Sequence, residues 1–328
     1  MIPKLANIDL KLLRVFMAIV EAGGFAAAQA QLNVSASRIS VQIADLEARL
    51  GTRLCQRGRV GFRLTDKGRL VYEACQRLFA ALDSFRAEVG SAGGPLVGEL
   101  QLGIVDNTLS NADSRLARAI ERFKGRDNDV HVTLHILAPT ELERAVLDGR
   151  IQVAIGAFHH HAVGLAYEPL FAEEQTLYCG RGHPLFTQAP EAVSLTEVTA
   201  AEFADRGYME GLRGKQLARF RATATAYHME ALALLVLSGR YIAYLPSHYA
   251  AGWTARGLMR PLLPRQLCYQ SLFEVITRKG AHPTPAASAF LDDLRAAHRG
   301  LVAAAPLPAA RRSRRRRTDA LSRASAAS

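Results

Sequence analysis

The sequence predicts an α-helical winged helix-turn-helix head and a linker helix, followed by an α/β body. Three observations carry that prediction. Residues 32–51, LNVSASRISVQIADLEARLG, space Ile39, Ile43, Leu46 and Leu50 four, three and four apart, one apolar helix face just after a tight Asn33-Val34 turn. Residues 71–89 then carry a heptad-like apolar seam, and from Gly98 onward short β-rich runs alternate with helical periods.

Each element follows in order. Residues 1–66 form the head. Its first helix, about Asp9 to Ala22, has Leu10, Leu13, Met17 and Val20 at helical spacing. Asp9, Lys11, Arg14 and Glu21 interrupt what would otherwise read as the apolar run of an export signal, so a folded amphipathic helix is expected. Gly23-Gly24 ends it, and an Ala-rich second helix covers about Phe25 to Leu32. After the turn, Ser35 is placed to cap the third helix. Two helices joined this tightly make a helix-turn-helix, whose second helix is the one that enters a DNA major groove. Ser37, Arg38, Val41, Gln42 and Asp45 are expected on its outward face, which a solvated surface would also explain.

The stretch TRLCQRGRVGFRLT after Gly51 predicts a hairpin carrying Arg53, Arg57, Arg59 and Arg63, four guanidiniums suited to a phosphate backbone. Residues 67–97 form the linker. Thr65 caps a long helix in which Val71, Cys75, Leu78, Leu82, Phe85 and Val89 are spaced four, three, four, three and four. Such a seam needs a partner helix, either in a second copy of the chain or in the head itself. A dimer fits a reader of two half-sites. SAGGPLVGE then marks a boundary.

The body spans residues 98–300. GELQLGIV, VHVTLHIL and IQVAIG are expected strands, with helices from Asn111 to Lys124 and Glu141 to Asp148, which gives a largely parallel sheet. Residues 301–328, with AARRSRRRRTDALSRASAAS, form a low-complexity basic tail expected to be disordered.

Charge fits this division. Residues 1–90 carry 13 basic against 8 acidic side chains, and residues 311–328 seven arginines against one aspartate, which leaves the 220 residues between them without net charge although the whole chain is +11. A basic head and tail around a neutral body point to a polyanionic partner for the ends alone. Cys55, Cys75, Cys179 and Cys268 lack ligand or disulfide spacing and read as buried small apolar groups in a reducing compartment. No apolar run is long enough to span a bilayer. His159, His160 and His161 are adjacent, so three rings cannot converge on one metal, and neither a metal nor any other cofactor is expected. Cys179 in TLYCG reads as core rather than redox sensor. The chain lacks a nucleophile elbow, a P-loop and a dinucleotide fingerprint, so an enzyme is not expected.

GGFAAAQAQLNVSASRISVQIADLEARLGTRLCQRGRVGFRLTDKG resembles the winged helix-turn-helix of LysR-type transcriptional regulators, with Phe25, Ala28, Leu32, Ser35, Ile43 and Glu47 among the matching positions. It departs from the family pattern at Ala36-Ser37, where Gln-Pro is usual, at Val41, where Arg is frequent, and at Cys55, where Phe is. RGHPL, SGRYIAYLP and ASAFLDDLRAA extend the resemblance to the family's effector-binding domain. It implies a two-lobed, periplasmic-binding-protein-like body, with lobe one at residues 98–168 and 271–300 and lobe two at 169–270. It also implies a cytoplasmic homodimer or homotetramer that binds double-stranded DNA, a small-molecule effector and RNA polymerase. A solute-binding protein built on the two-lobed body is the alternative, and the DNA-reading head argues against it.

Arg38 can pair with guanine, Gln42 with adenine, and Val41 can touch a thymine methyl, while Ser37 suits phosphate. Ligands in open α/β folds sit beyond the carboxyl ends of strands, so the loops DNTLSN and APTEL should face the cleft. That nominates Asp106, Asn107, Thr108, Ser110 and Thr140, with Thr225 from the other lobe beside a helix expected near Tyr227. Helix capping alone would also explain the hydroxyls. Asp106 disfavours a simple anion and leaves a small polar acid or amino compound as the expected ligand class.

Overall fold

A computed structural model describes residues 7–58, 61–90, 94–209 and 219–300. In the head, α1 (Asn7–Glu21), α2 (Phe25–Leu32) and α3 (Ala36–Leu50) pack around Leu12, Phe16, Ile19, Ile39, Ile43 and Leu46. The spacing that predicted α3 is the cause: Ile39, Ile43 and Leu46 are all buried on one face. Gly51 ends α3 in a left-handed conformation at φ 63°, which releases the chain into β1 (Cys55–Gly58) and β2 (Gly61–Leu64). These pair antiparallel, Cys55 opposite Leu64 and Arg57 opposite Phe62. Thr65 Oγ1 donates to the Arg53 carbonyl at 2.8 Å and accepts from Gly68 N at 2.8 Å, joining the hairpin to α4 (Asp66–Gly90). A Cβ at Gly68 would collide with the Leu54 carbonyl, so only glycine lets α4 pass this close.

The apolar seam of α4 divides in two. Cys75 is buried in the head's own core, with Val71 and Leu78 packed against it, so this part finds its partner within its own domain. Leu82 is half-buried, whereas Phe85 and Val89 are 63% and 60% exposed. The expected continuous seam is thus covered by the head at Cys75, and only partly at Val71 and Leu78, which are half-buried. Heptad spacing requires a partner surface and does not say which one.

Among the described residues the body holds a nine-stranded sheet. Its lobe-one half contains β3 (Leu96–Ile104), α5 (Leu116–Lys124), β4 (Asn128–Ile136), α6 (Pro139–Leu147) and β5 (Val153–Ala157). β3 lies between β4 and β5, parallel to both. The long strand β6 (Leu165–Gly180) leads into lobe two. There follow α7 (Leu195–Ala200), β7 (Phe203–Arg206), β8 (Ala222–Ala226), α8 (Met229–Leu237), β9 (Ile242–Pro246), α9 (Ser247–Ala255) and β10 (Met259–Pro261). β11 (Cys268–Arg278) returns antiparallel to both β5 and β6, and α10 (Pro285–Ala297) closes lobe one. The sheet is therefore mixed rather than largely parallel: each lobe is parallel within itself, and the two crossing strands run antiparallel to their neighbours.

Separate cores justify two lobes. Lobe one packs Leu100, Leu102, Phe123, Leu142 and Phe290, with Phe123 and Phe290 edge to face at 5.8 Å. Lobe two packs Phe203 on Phe220 at 4.9 Å on one side of its sheet, and Met229, Leu232 and Val236 on the other. Between the lobes β11 shifts register at Phe273/Glu274, a bulge beside the Phe171–Phe273 stack. The helix expected from Asn111 starts at Leu116 instead. Asn107 and Arg115 adopt left-handed φ, and Asn111 Oδ1 accepts from Asp113 N at 2.9 Å, a side-chain turn that competes with helix.

Candidate nucleic-acid interface and interlobe cleft

At the start of α3, Ser35 Oγ accepts from Arg38 N at 3.4 Å and lies 3.0 Å from Ser37 Oγ. This cap presents Arg38 on the exposed surface, with Val41 one turn on and 68% exposed. Gln42 does not share that face fully. It is half-buried, and its Oε1 is enclosed without a hydrogen-bond partner among the described residues. Asp45 is drawn into an ion pair with Arg49 at 2.9 Å, and Arg49 reaches Asp9 of α1 at 3.3 Å. Arg53 and Arg63 are exposed at the hairpin, Arg57 lies in β1, and Arg59 falls outside the described residues.

Glu47 positions the hairpin against α3. Its Oε1 accepts from Leu54 N at 2.6 Å and Cys55 N at 3.1 Å, satisfying two backbone donors between helix and strand. One exposed helix flanked by guanidiniums on a tied hairpin can enter a groove and hold the adjacent phosphates.

In the body, the loop after β3 meets lobe two. Asp106 Oδ2 accepts from Met229 N at 2.5 Å, so a lobe-one carboxylate caps α8 of lobe two, whose own flanking residue His228 makes no side-chain cap. Ser110 Oγ lies 2.9 Å from His248 Nδ1, and His248 Nε2 lies 2.8 Å from Glu173 Oε1. Asn111 Nδ2 donates to the same carboxylate oxygen at 3.4 Å, and Gln175 Nε2 to Oε2 at 2.5 Å. Glu173 sits on β6 and is buried, so it ties both lobes to a crossing strand.

Asp106, Asn107, Glu173, Arg206, Tyr208 and Ser271 line a narrow cleft. It leaves room for little more than one or two waters, so an organic ligand has to part the lobes. Arg206 projects from the end of β7 and donates to Gln175 Oε1 at 2.6 Å and to the Tyr244 carbonyl at 3.2 Å. Burial alone would lower its pKa, but Tyr208, Tyr269, Glu173 and Asp106 outweigh this and hold it above the ordinary guanidinium value.

Of the residues nominated from the sequence, Asp106 and Asn107 line the cleft, Thr108 is buried beside them, and Ser110 joins the lobe-to-lobe relay. Thr140 is exposed in the first turn of α6, where its neighbour Pro139 faces the cleft instead. Thr225 lies exposed within β8 rather than at a helix N-terminus, because α8 starts only at Met229. Sequence reasoning missed Glu173, Arg206 and His248. A weak signal existed in Glu173 and Gln175, two polar residues on one face of an otherwise apolar strand. Of the three adjacent histidines, His159 lines the cleft, while His161 stacks on Tyr167 at 3.9 Å and binds Glu274 Oε2 at 3.0 Å.

Comparison with known proteins agrees with this architecture. Residues 10–69 match the model of the bacterial regulatory helix-turn-helix proteins of the lysR family, and residues 93–299 match the LysR substrate binding domain. The chain is 43% identical over 292 residues to the HTH-type transcriptional activator BauR of Pseudomonas aeruginosa, covering 88% of this chain and 95% of that one. It is 28% identical over 291 residues to the SDS degradation transcriptional activation protein of a Pseudomonas species, covering 86% and 94%. Full-length CbnR complexed with its target DNA shares the fold with a TM-score of 0.63 at 22% identity, covering 88% of this chain and 99% of CbnR. The chain belongs to the LysR family of bacterial helix-turn-helix regulators, DNA-binding transcription factors controlled by a small-molecule effector in the second domain.

Proposed function

We propose that this regulator reads its operator with Arg38 and Val41 of α3, with Ser35, Ser37 and Gln42 beside them and Arg53, Arg57, Arg59 and Arg63 on the flanking phosphates. The effector enters the interlobe cleft, where Asp106, Asn107 and Thr108 meet Glu173 and Arg206. Residues 1–66 act as the DNA-binding unit, 67–97 as the linker and dimerisation helix, 98–300 as the effector domain, and 301–328 as a basic extension. Leu82, Phe85 and Val89, half-buried or exposed among the described residues, supply the contact to a second copy. RNA polymerase is the protein partner at the promoter, and the cytoplasm is the compartment.

The observation that supports this reading best is the charged cleft itself. Side chains of both lobes meet there, and the bonds closing it are ones that a ligand can replace. Among the described residues no helix is long and apolar enough to cross a membrane. The test is selection of bound fragments from genomic DNA, followed by binding of one fragment with and without an effector found by thermal shift. Enrichment of paired half-sites, with an effector response weakened at least fivefold by Thr108→Val or Asn107→Asp, is expected. Uniform enrichment, or a response indifferent to both substitutions, contradicts it.

A further inference from the structure

Two side-chain nitrogens in the cleft are buried and have no hydrogen-bond partner among the described residues. They are Arg206 Nε and Asn107 Nδ2, and both residues line the same cavity. Buried N–H groups left unpaired are unfavourable, and two of them facing one space are best met by a group with two acceptor oxygens. A carboxylate is such a group, and a guanidinium is its usual partner.

Charge decides what else the ligand carries. Among the described residues the charged side chains lining the cavity are Asp106, Glu173 and Arg206, with His159 held neutral by burial, a net charge of −1 before anything binds. A dicarboxylate or a plain acid would add negative charge to that low-dielectric space. An amine without a carboxylate would leave both orphan donors unmet. Glu173 is already occupied, with His248 and Asn111 on Oε1 and Gln175 on Oε2. Asp106 is committed only through Oδ2, to Met229 N, and its other oxygen takes no hydrogen bond among the described residues.

We propose that the cleft is a site for a small zwitterionic amino acid, its carboxylate on Arg206 and Asn107 and its ammonium on Asp106. The proposal rests on the cleft being the effector site. Binding adds no net charge, satisfies both orphan donors and gives Asp106 a counter-ion beside the helix it caps. Since Asp106 reaches lobe two and Arg206 belongs to lobe two, a ligand held by both favours one angle between the lobes.

Calorimetric titration of the full chain tests this with L-alanine and the ω-amino acids from glycine to 5-aminopentanoate, against butyrate, butylamine and succinate. At least one amino acid is expected to bind ten or more times tighter than the last three. Asn107→Asp keeps shape and tolerates the left-handed φ of 63° while replacing the donor by a repelling acceptor, and a loss of tenfold or more is expected. Asp106→Asn keeps an acceptor for Met229 N but removes the counter-charge. It should weaken the amino acid and strengthen the plain acid of equal length, a change of preference that misfolding cannot produce. Binding by none of the amino acids, or equal binding of succinate or butylamine, overturns the proposal. Should succinate or butylamine bind best yet respond to either substitution, the ligand is still in the cleft and only the zwitterion is lost. A ligand indifferent to both substitutions lies elsewhere and removes the underlying reading as well.

Discussion

Asp106→Ala removes the only side-chain cap described for α8, and the cap comes from the opposite lobe. Loss of an N-cap acceptor costs about 0.5–2 kcal/mol, and a carboxylate at a helix N-terminus adds about 0.3–1 kcal/mol. The variant should therefore lose about 1–3 kcal/mol in the contact between lobes, a factor of roughly 5 to 150 in the opening equilibrium. Asp106→Asn retains the acceptor and loses only the charge, so its factor should be roughly 2 to 5. Hydrogen exchange of the peptide containing Met229 reads this opening directly, and peptides from the buried β5 serve as an internal control. Faster exchange at α8 in the order wild type, Asn, Ala, with β5 unchanged, is expected. Equal rates in all three proteins would show that the lobes are not joined through this cap.

Three further outcomes follow from particular side chains. Leu82→Lys and Phe85→Lys place charges on the later, half-buried to exposed part of the α4 seam and should convert a sedimenting dimer or tetramer to smaller species, whereas an unchanged oligomer would mean that contact between copies lies elsewhere. Burial holds the Glu274 carboxyl above its ordinary pKa, with His161 opposing, so folding of the charged form is penalised and stability falls as pH rises through the folded value. Glu274→Gln should accordingly raise Tm at pH 8 relative to the parent, with the gap closing near pH 4; a gap independent of pH contradicts this. The Cys75 thiol, buried in the head and pushed up to about 11, should resist alkylation in the native protein at pH 8 and react only on unfolding; fast native labelling would place it on the surface.

The head was legible because its signals are local. Ile39, Ile43 and Leu46 define the buried face of α3, Ser35 caps it, and Gly51 ends it, all within 17 residues of sequence. The seam of α4 was only half legible, since spacing cannot distinguish a partner in the same chain, which Cys75 finds, from one in another, which is proposed for the exposed Phe85. The cleft was least legible. Strand ends predicted the loops of Asp106 and Asn107, but Arg206, Glu173 and His248 are brought together by crossing strands from positions up to 75 residues apart. Thr140 and Thr225 do not line the narrow cleft, for a related reason: a hydroxyl near a helix start is common, and one turn of helix or one strand residue decides which way it faces.

Base reading by α3 is tested most directly by fluorescence anisotropy of Arg38→Ala on a selected genomic fragment and on its scrambled counterpart. Loss of a guanidinium that reads a base should cost about 1–3 kcal/mol on the fragment, roughly 5- to 150-fold in Kd, and less than about twofold on the scrambled duplex. Arg63→Ala, which removes an exposed wing charge, should weaken both by a similar factor. Equal losses for Arg38→Ala on the two duplexes, or no loss on either, would contradict the account at its centre.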